Sequence, residues 1–137
     1  MSSTQPHQRT PGSPAAAVSN RVVRLFAEYT GRGPTKARTI IDEHVVICVT
    51  QNSMAKAERR LVAEGESDLV VSIRRTFQHT MRGDLVGAVE AVTGQKVLSF
   101  MSDHDAEHDY AAEVFVLDGP PTSAPSSTGD GRAPLDR

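Results

Sequence analysis

The densest group of reactive side chains is Asp103-His104-Asp105-Ala106-Glu107-His108-Asp109, two imidazoles and four carboxylates in seven residues. Imidazole and carboxylate suit several divalent metals, so His104 and His108 are candidate metal ligands. No second cluster stands at ligand spacing, however, and the single cysteine, Cys48, lies far away. The stretch also falls between two apolar runs, where Asp and His serve a solvated hairpin loop. That plainer reading implies no metal and no cofactor. A second group is Thr30-Gly31-Arg32-Gly33-Pro34-Thr35-Lys36-Ala37-Arg38. Glycines expose backbone N–H groups, and Arg32, Lys36 and Arg38 add charge, the ingredients of an anion site. The order is wrong for a phosphate loop, which needs Gly-x-x-x-x-Gly-Lys-Ser/Thr opening a helix. Here the segment closes a helix, whose negative end favours cations. Gly31, Gly33 and Pro34 therefore read as a structural turn, and Arg32, Lys36 and Arg38 as anion- or partner-binding candidates carried on it. A third group, Arg75, His79 and Arg82, recurs at i, i+4 and i+7 beside Arg74. It is either an exposed helix face or a partner surface. No Ser-His-Asp or Cys-His set can be read from spacing, so no catalytic residue is assigned and the expectation is a protein that is not an enzyme.

The elements that must position these groups follow from periodicity. Val18, Val22, Leu25 and Tyr29, widened by Val23 and Phe26, predict a helix over 16–30. Gly31 stops it and Pro34 keeps it from resuming. β-Branched runs on both sides of Asp42-Glu43 predict a hairpin over 36–50, with a loop that includes His44. Asn52 or Ser53 caps a helix over 54–64, and Ser67 caps a long one over 68–93. The long helix carries Leu69, Ile73, Phe77, Met81, Leu85, Val89 and Val92 as its apolar stripe. Gly83 and Gly87 weaken it or permit close packing. Residues 96–102 and 110–117 predict a second hairpin around the acidic His-containing loop. The order α-ββ-α-α-ββ points to an α+β fold. Two β-hairpins form a four-stranded antiparallel sheet with helices packed on one face.

Composition limits the functional classes. The 137-residue chain fits one domain. Residues 1–15 and 119–137 are rich in Pro, Ser, Thr and Gly, and such segments cannot bury enough apolar surface to order themselves. They are expected to be disordered tails around a folded 16–118. The net charge of −2 hides an excess of +4 over residues 21–38 and of −6 over residues 103–137. This basic set is too small for a nucleic-acid protein, and aromatics are scarce. No apolar run approaches the ~20 residues of a membrane span, so no direct membrane insertion is expected. The N-terminus lacks a charged-then-apolar secretory pattern. A single Cys, set in Val-Val-Ile-Cys-Val, reads as a small buried hydrophobe. The expected location is the cytoplasm.

Val23-Arg-Leu-Phe-Ala-Glu-Tyr-Thr-Gly-Arg-Gly-Pro-Thr-Lys-Ala-Arg38 resembles the MpsC family. The likeness continues through Ile41-Asp42, Ser53-Met54-Ala55-Lys56-Ala57-Glu58, Ile73-Arg74, Thr93-Gly94-Gln95-Lys96-Val97, Ser102-Asp103 and Phe115-Val116-Leu117-Asp118. The Gly-Arg-Gly-Pro-Thr core is its most specific part, while His104 and Asp105 depart from the family's usual turn. The resemblance implies a small accessory or regulatory protein associated with a cation-translocating, membrane-potential-generating system. Translocation itself would then belong to membrane-embedded partners. The expectation is a protein partner and a homo-oligomer, with an anion- or nucleotide-binding sensor as the alternative.

Overall fold

In a computed structural model, which describes residues 12–122, the chain runs α1 (Pro14–Thr30), β1 (Lys36–Asp42), β2 (Val45–Gln51), α2 (Lys56–Ala63), α3 (Ser67–Thr93), β3 (Val97–Asp105) and β4 (Tyr110–Leu117). The fold is α+β in the order α-ββ-α-α-ββ, with one antiparallel sheet ordered β1-β2-β4-β3. Most of the two expected tails lies outside the described residues. Within them, the Ser13 hydroxyl accepts from Ala16 N at 3.0 Å and caps α1, with Pro14 at its first turn. At the other end Thr122 N donates to the Thr93 carbonyl at 2.8 Å.

Alternation along the strands gives the sheet two different faces. Thr39, Val46, Cys48, Phe100, Phe115 and Leu117 point to one side and are buried. There they meet Val18, Val22 and Phe26 of α1 and Met81, Leu85 and Val89 of α3 in the main core. Burial pushes the Cys48 thiol up to about 12, which leaves it an inert packing group. Among the described residues the other face carries no helix. Ile40, Ile47, Val114 and Met101 form one row across all four strands, and Val45 with Val116 and Val49 with Ala112 flank it.

One local expectation holds and one changes. The first hairpin turns on two residues, Glu43 and His44, since Asp42 pairs with Val45. Glu43 accepts a left-handed φ of 54° to make it so. The first strand of the second hairpin is longer than expected: β3 runs to Asp105, so only 106–109 remain as turn.

The largest revision concerns α3. Its buried residues are Val70, Arg74, Gln78, Met81, Leu85, Ala88, Val89 and Thr93. Leu69 and Phe77, members of the expected stripe, are exposed. A strict i+4 spacing drifts by about 40° at each step of a 3.6-residue helix, so Leu69 stands about 120° from Met81. Val70 and Arg74 lie within about 20° of Met81 on the same count. The first half of α3 therefore turns a polar edge to the sheet.

Gly31 ends α1 in a left-handed conformation at φ 81°, its N–H donating to the Ala27 carbonyl at 2.9 Å. Gly33 meets a different demand. A Cβ there would lie 2.9 Å from the Val23 carbonyl oxygen, on rigid helix backbone. Gly83, by contrast, has nothing within 4 Å, so its role is not close packing. Gly33→Ala should destabilise the fold by about 1–3 kcal/mol, whereas Gly83→Ala should gain roughly 0.5–1 kcal/mol. Urea unfolding of the two variants checks both signs.

Candidate functional site

Asp109 is the hub of a polar cluster at the sheet's end nearest α2. It closes the second hairpin with φ 58°, a strained value for a residue with a side chain. Its carboxylate accepts from Met54 N at 3.0 Å and from the Ser53 hydroxyl at 3.4 Å. The His104 imidazole, buried on β3, lies 3.0 Å away through Nε2. Burial opposes ionisation of Asp109. Hydrogen bonds from His104 and from the backbone at Met54 and Ser53 outweigh it and hold the carboxyl below its usual range. The ionised carboxylate can only accept, so His104 carries its proton on Nε2. Arg59 stands 3.6 Å from the same carboxylate and also bonds the Asn52 side chain.

Arg74 extends this cluster beneath α3. It is 4% exposed. Its Nη1 meets both Glu58 oxygens at 3.1 and 3.2 Å, and its Nη2 donates to Ser53 Oγ at 2.6 Å. Glu58 in turn accepts from Ala55 N at 2.8 Å, capping α2. One buried ion pair thus fastens α2 to α3. The chemistry open to this cluster is limited. Ser53 and His104 both bond the same Asp109 oxygen, so the imidazole does not stand between hydroxyl and carboxylate. Ser53 Oγ also receives the Arg74 guanidinium, which opposes its acting as a nucleophile activated by a base.

A third part lies deeper. Glu113 on β4 has no exposed surface, and among the described residues neither carboxylate oxygen makes a hydrogen bond of good geometry, although the Ser102 hydroxyl lies near enough to act on it. Burial raises its carboxyl to about 8, against smaller downward pulls from the Ser102 hydroxyl and the Arg74 charge. Beside it an open pocket is lined by Arg75, Gln78, His79, Arg82, Phe100 and Ser102. Gln78 Nε2 and Ser102 Oγ are buried there without partners. Arg82 lies over the Phe100 ring, 5.2 Å from its centroid, and Arg75 reaches Asp103 at 3.5 Å.

The residues singled out from sequence are dispersed. Arg32 donates to the Asn52 carbonyl at 3.1 Å and so ties the first turn to the end of β2. Lys36 and Arg38 alternate with inward-facing Ala37 and Thr39, and so project from the helix-free face. His104 points inward, while His108 is exposed and pairs with Asp105 at 2.9 Å. That contact raises the His108 pKa and lowers that of Asp105. Among the described residues no group of three or more His, Cys, Asp or Glu is arranged to hold a metal ion. Arg75, His79 and Arg82 do share one surface, the pocket. Glu113 was missed, although the period of two along Ala111, Glu113, Phe115 and Leu117 sets it inward. Ser53 and Asp109 meet only through the tertiary fold, which no local spacing records.

The family described as Na+-translocating membrane potential-generating system (MpsC) matches residues 10–119. A relative from Bacillus subtilis (strain 168), the uncharacterized protein YrhF, is 26% identical over 102 residues, covering 72% of this chain and 84% of that protein. No solved structure matches. No helix among the described residues is long and apolar enough to cross a membrane.

Proposed function

Since the chain belongs to the MpsC family, we propose that it is a non-catalytic cytoplasmic accessory domain that works by binding protein partners, among them a cation-translocating membrane system. The observation that supports this reading is the helix-free face of the sheet. An antiparallel sheet facing water normally alternates apolar-in with polar-out. Here the outward row Ile40, Ile47, Val114, Met101 is apolar, with Ile40 44% and Met101 52% exposed. Contiguous apolar surface of this kind marks an interaction site. The family's description supplies the membrane system. The test is co-purification of the tagged full chain, after cross-linking in its own host, with a subunit of a cation-translocating complex. Recovery that is lost in Ile40→Asp supports the reading; absence of any such subunit sinks it.

A second reading has its own observation. The α3 pocket joins Arg75, His79 and Arg82 to two buried, unpartnered groups, Gln78 Nε2 and Ser102 Oγ. These suit an oxyanion, which supports an anion-sensor reading at α3 rather than at Arg32, Lys36 and Arg38. Inorganic phosphate or a nucleotide should then raise the melting temperature by several degrees in the native chain and not in Arg82→Ala. An equal shift in both proteins would count against the pocket.

A further inference from the structure

We infer that the helix-free face is covered by a second copy of this chain, packed face to face about a two-fold axis parallel to the strands. This rests on the reading of that face as an assembly surface and names its occupant.

The register supplies the argument. The outward residues form rows across β1, β2, β4 and β3: Asp42, Val45, Val116, Ser99; then Ile40, Ile47, Val114, Met101; then Arg38, Val49, Ala112, Asp103; then Lys36, Gln51, Tyr110, Asp105. A two-fold axis parallel to the strands lays β1 on the partner's β3 and β2 on the partner's β4, and it keeps each row in place. Ile40 then meets the partner's Met101, and Ile47 the partner's Val114. Arg38 meets the partner's Asp103, and Lys36 the partner's Asp105. One edge of the face is basic and the opposite edge acidic at the same height, so the face is complementary to itself, as an isologous interface requires. Every match occurs twice.

Size and edges bear on the arrangement. Four strands at ~4.8 Å spacing and seven residues rising ~3.3 Å each make a face of roughly 19 by 23 Å. That is about 440 Å² in projection, before the corrugation of the side chains is counted, which sets the contact at the small end of specific interfaces. Joining sheets edge to edge is disfavoured, because β1 carries Lys36 and Arg38 and β3 is irregular between Val97 and Ser99. The exposed Arg75–Asp103 pair, 64% and 70% exposed, is weak enough to yield Asp103 to a partner.

The test is sedimentation equilibrium of the full chain and of four variants. The native chain should dimerise. Ile40→Asp and Met101→Asp should be monomeric with unchanged circular dichroism, since both side chains already meet water. Arg38→Glu and Asp103→Arg should each weaken self-association by about tenfold, because each sets like charges opposite one another twice. Mixing those two variants should restore the affinity in a heterodimer, where both contacts are again of opposite sign. Rescue of Arg38→Glu by Asp42→Arg instead, the pairing of a two-fold across the strands, would overturn the arrangement. So would a native chain that stays monomeric. If that monomer still recovers a membrane subunit through Ile40, the assembly reading survives and only the second copy is lost.

Discussion

Glu113→Gln stabilises the protein at pH 7.5 by about 2 kcal/mol, and it flattens the dependence of stability on pH between 5 and 8. The reason is the burial of Glu113 without a partner. Its carboxyl rises from the usual 4.5 to about 8 in the fold. Between those values the folded chain holds a proton that the unfolded chain has released. Unfolding therefore releases a proton, and stability falls as pH rises through that window, levelling off above it. At 1.36 kcal/mol per pH unit the full loss is at most about 5 kcal/mol. The amide cannot ionise, so it removes this loss. It still lacks hydrogen-bond partners, which costs about 1–3 kcal/mol and limits the net gain. Urea unfolding at pH 5, 6.5 and 8 checks the prediction. A Gln variant whose profile stays parallel to the native one would mean that Glu113 is paired. Asp109 acts with the opposite sign and at lower pH: its carboxyl is depressed, so its contribution is lost on acidification.

That a stable fold keeps such a group bears on what sequence can disclose. The hairpins, the helix order and the joint at Gly31–Pro34 were legible because each is written in local chemistry: period two, period 3.6, a left-handed cap. The sheet's two faces follow from the same alternation. Strand order was not legible, since pairing β2 with β4 joins segments more than fifty residues apart. The buried polar cluster was hidden for a further reason. Leu69, Ile73 and Phe77 continue the spacing of Met81, Leu85 and Val89, and hydrophobicity alone assigned them inward. The fold instead turns Val70, Arg74 and Gln78 to the sheet. Only the polar groups waiting there, Ser53 and Glu58, explain why Arg74 can be inside. A buried cation is admissible where a carboxylate meets it, and that carboxylate comes from another element.

Glu58→Ala should therefore be among the most damaging single substitutions, costing about 3–5 kcal/mol. It leaves the Arg74 guanidinium buried with no carboxylate in contact and removes the cap on Ala55 N. Arg74→Met should cost less. Glu58 is 17% exposed in its side chain and can turn to water, while methionine refills the space. This ordering separates an uncompensated buried charge from simple loss of an attraction, which would make the two variants equal. The damage should also be localised. No residue of α2 is fully buried, and eight residues cannot sustain a helix alone in water. Its hold on the fold is the Glu58–Arg74 pair, the Arg59 contacts with Asp109 and Asn52, and the small cluster of Met54, Val70 and Ala106 with Leu61 and Val62. Limited proteolysis of Glu58→Ala should cut first around Gly65, where α2 joins α3, while amides of the sheet keep their exchange protection. Uniform loss of protection would show instead that the ion pair supports the whole core. Without Glu58, Glu113 is an acid left that feels the Arg74 charge, which already pulls its carboxyl down. In Glu58→Ala that pull strengthens, so the fall of stability between pH 5 and 8 should shrink, and adding Glu113→Gln should then destabilise where alone it stabilises.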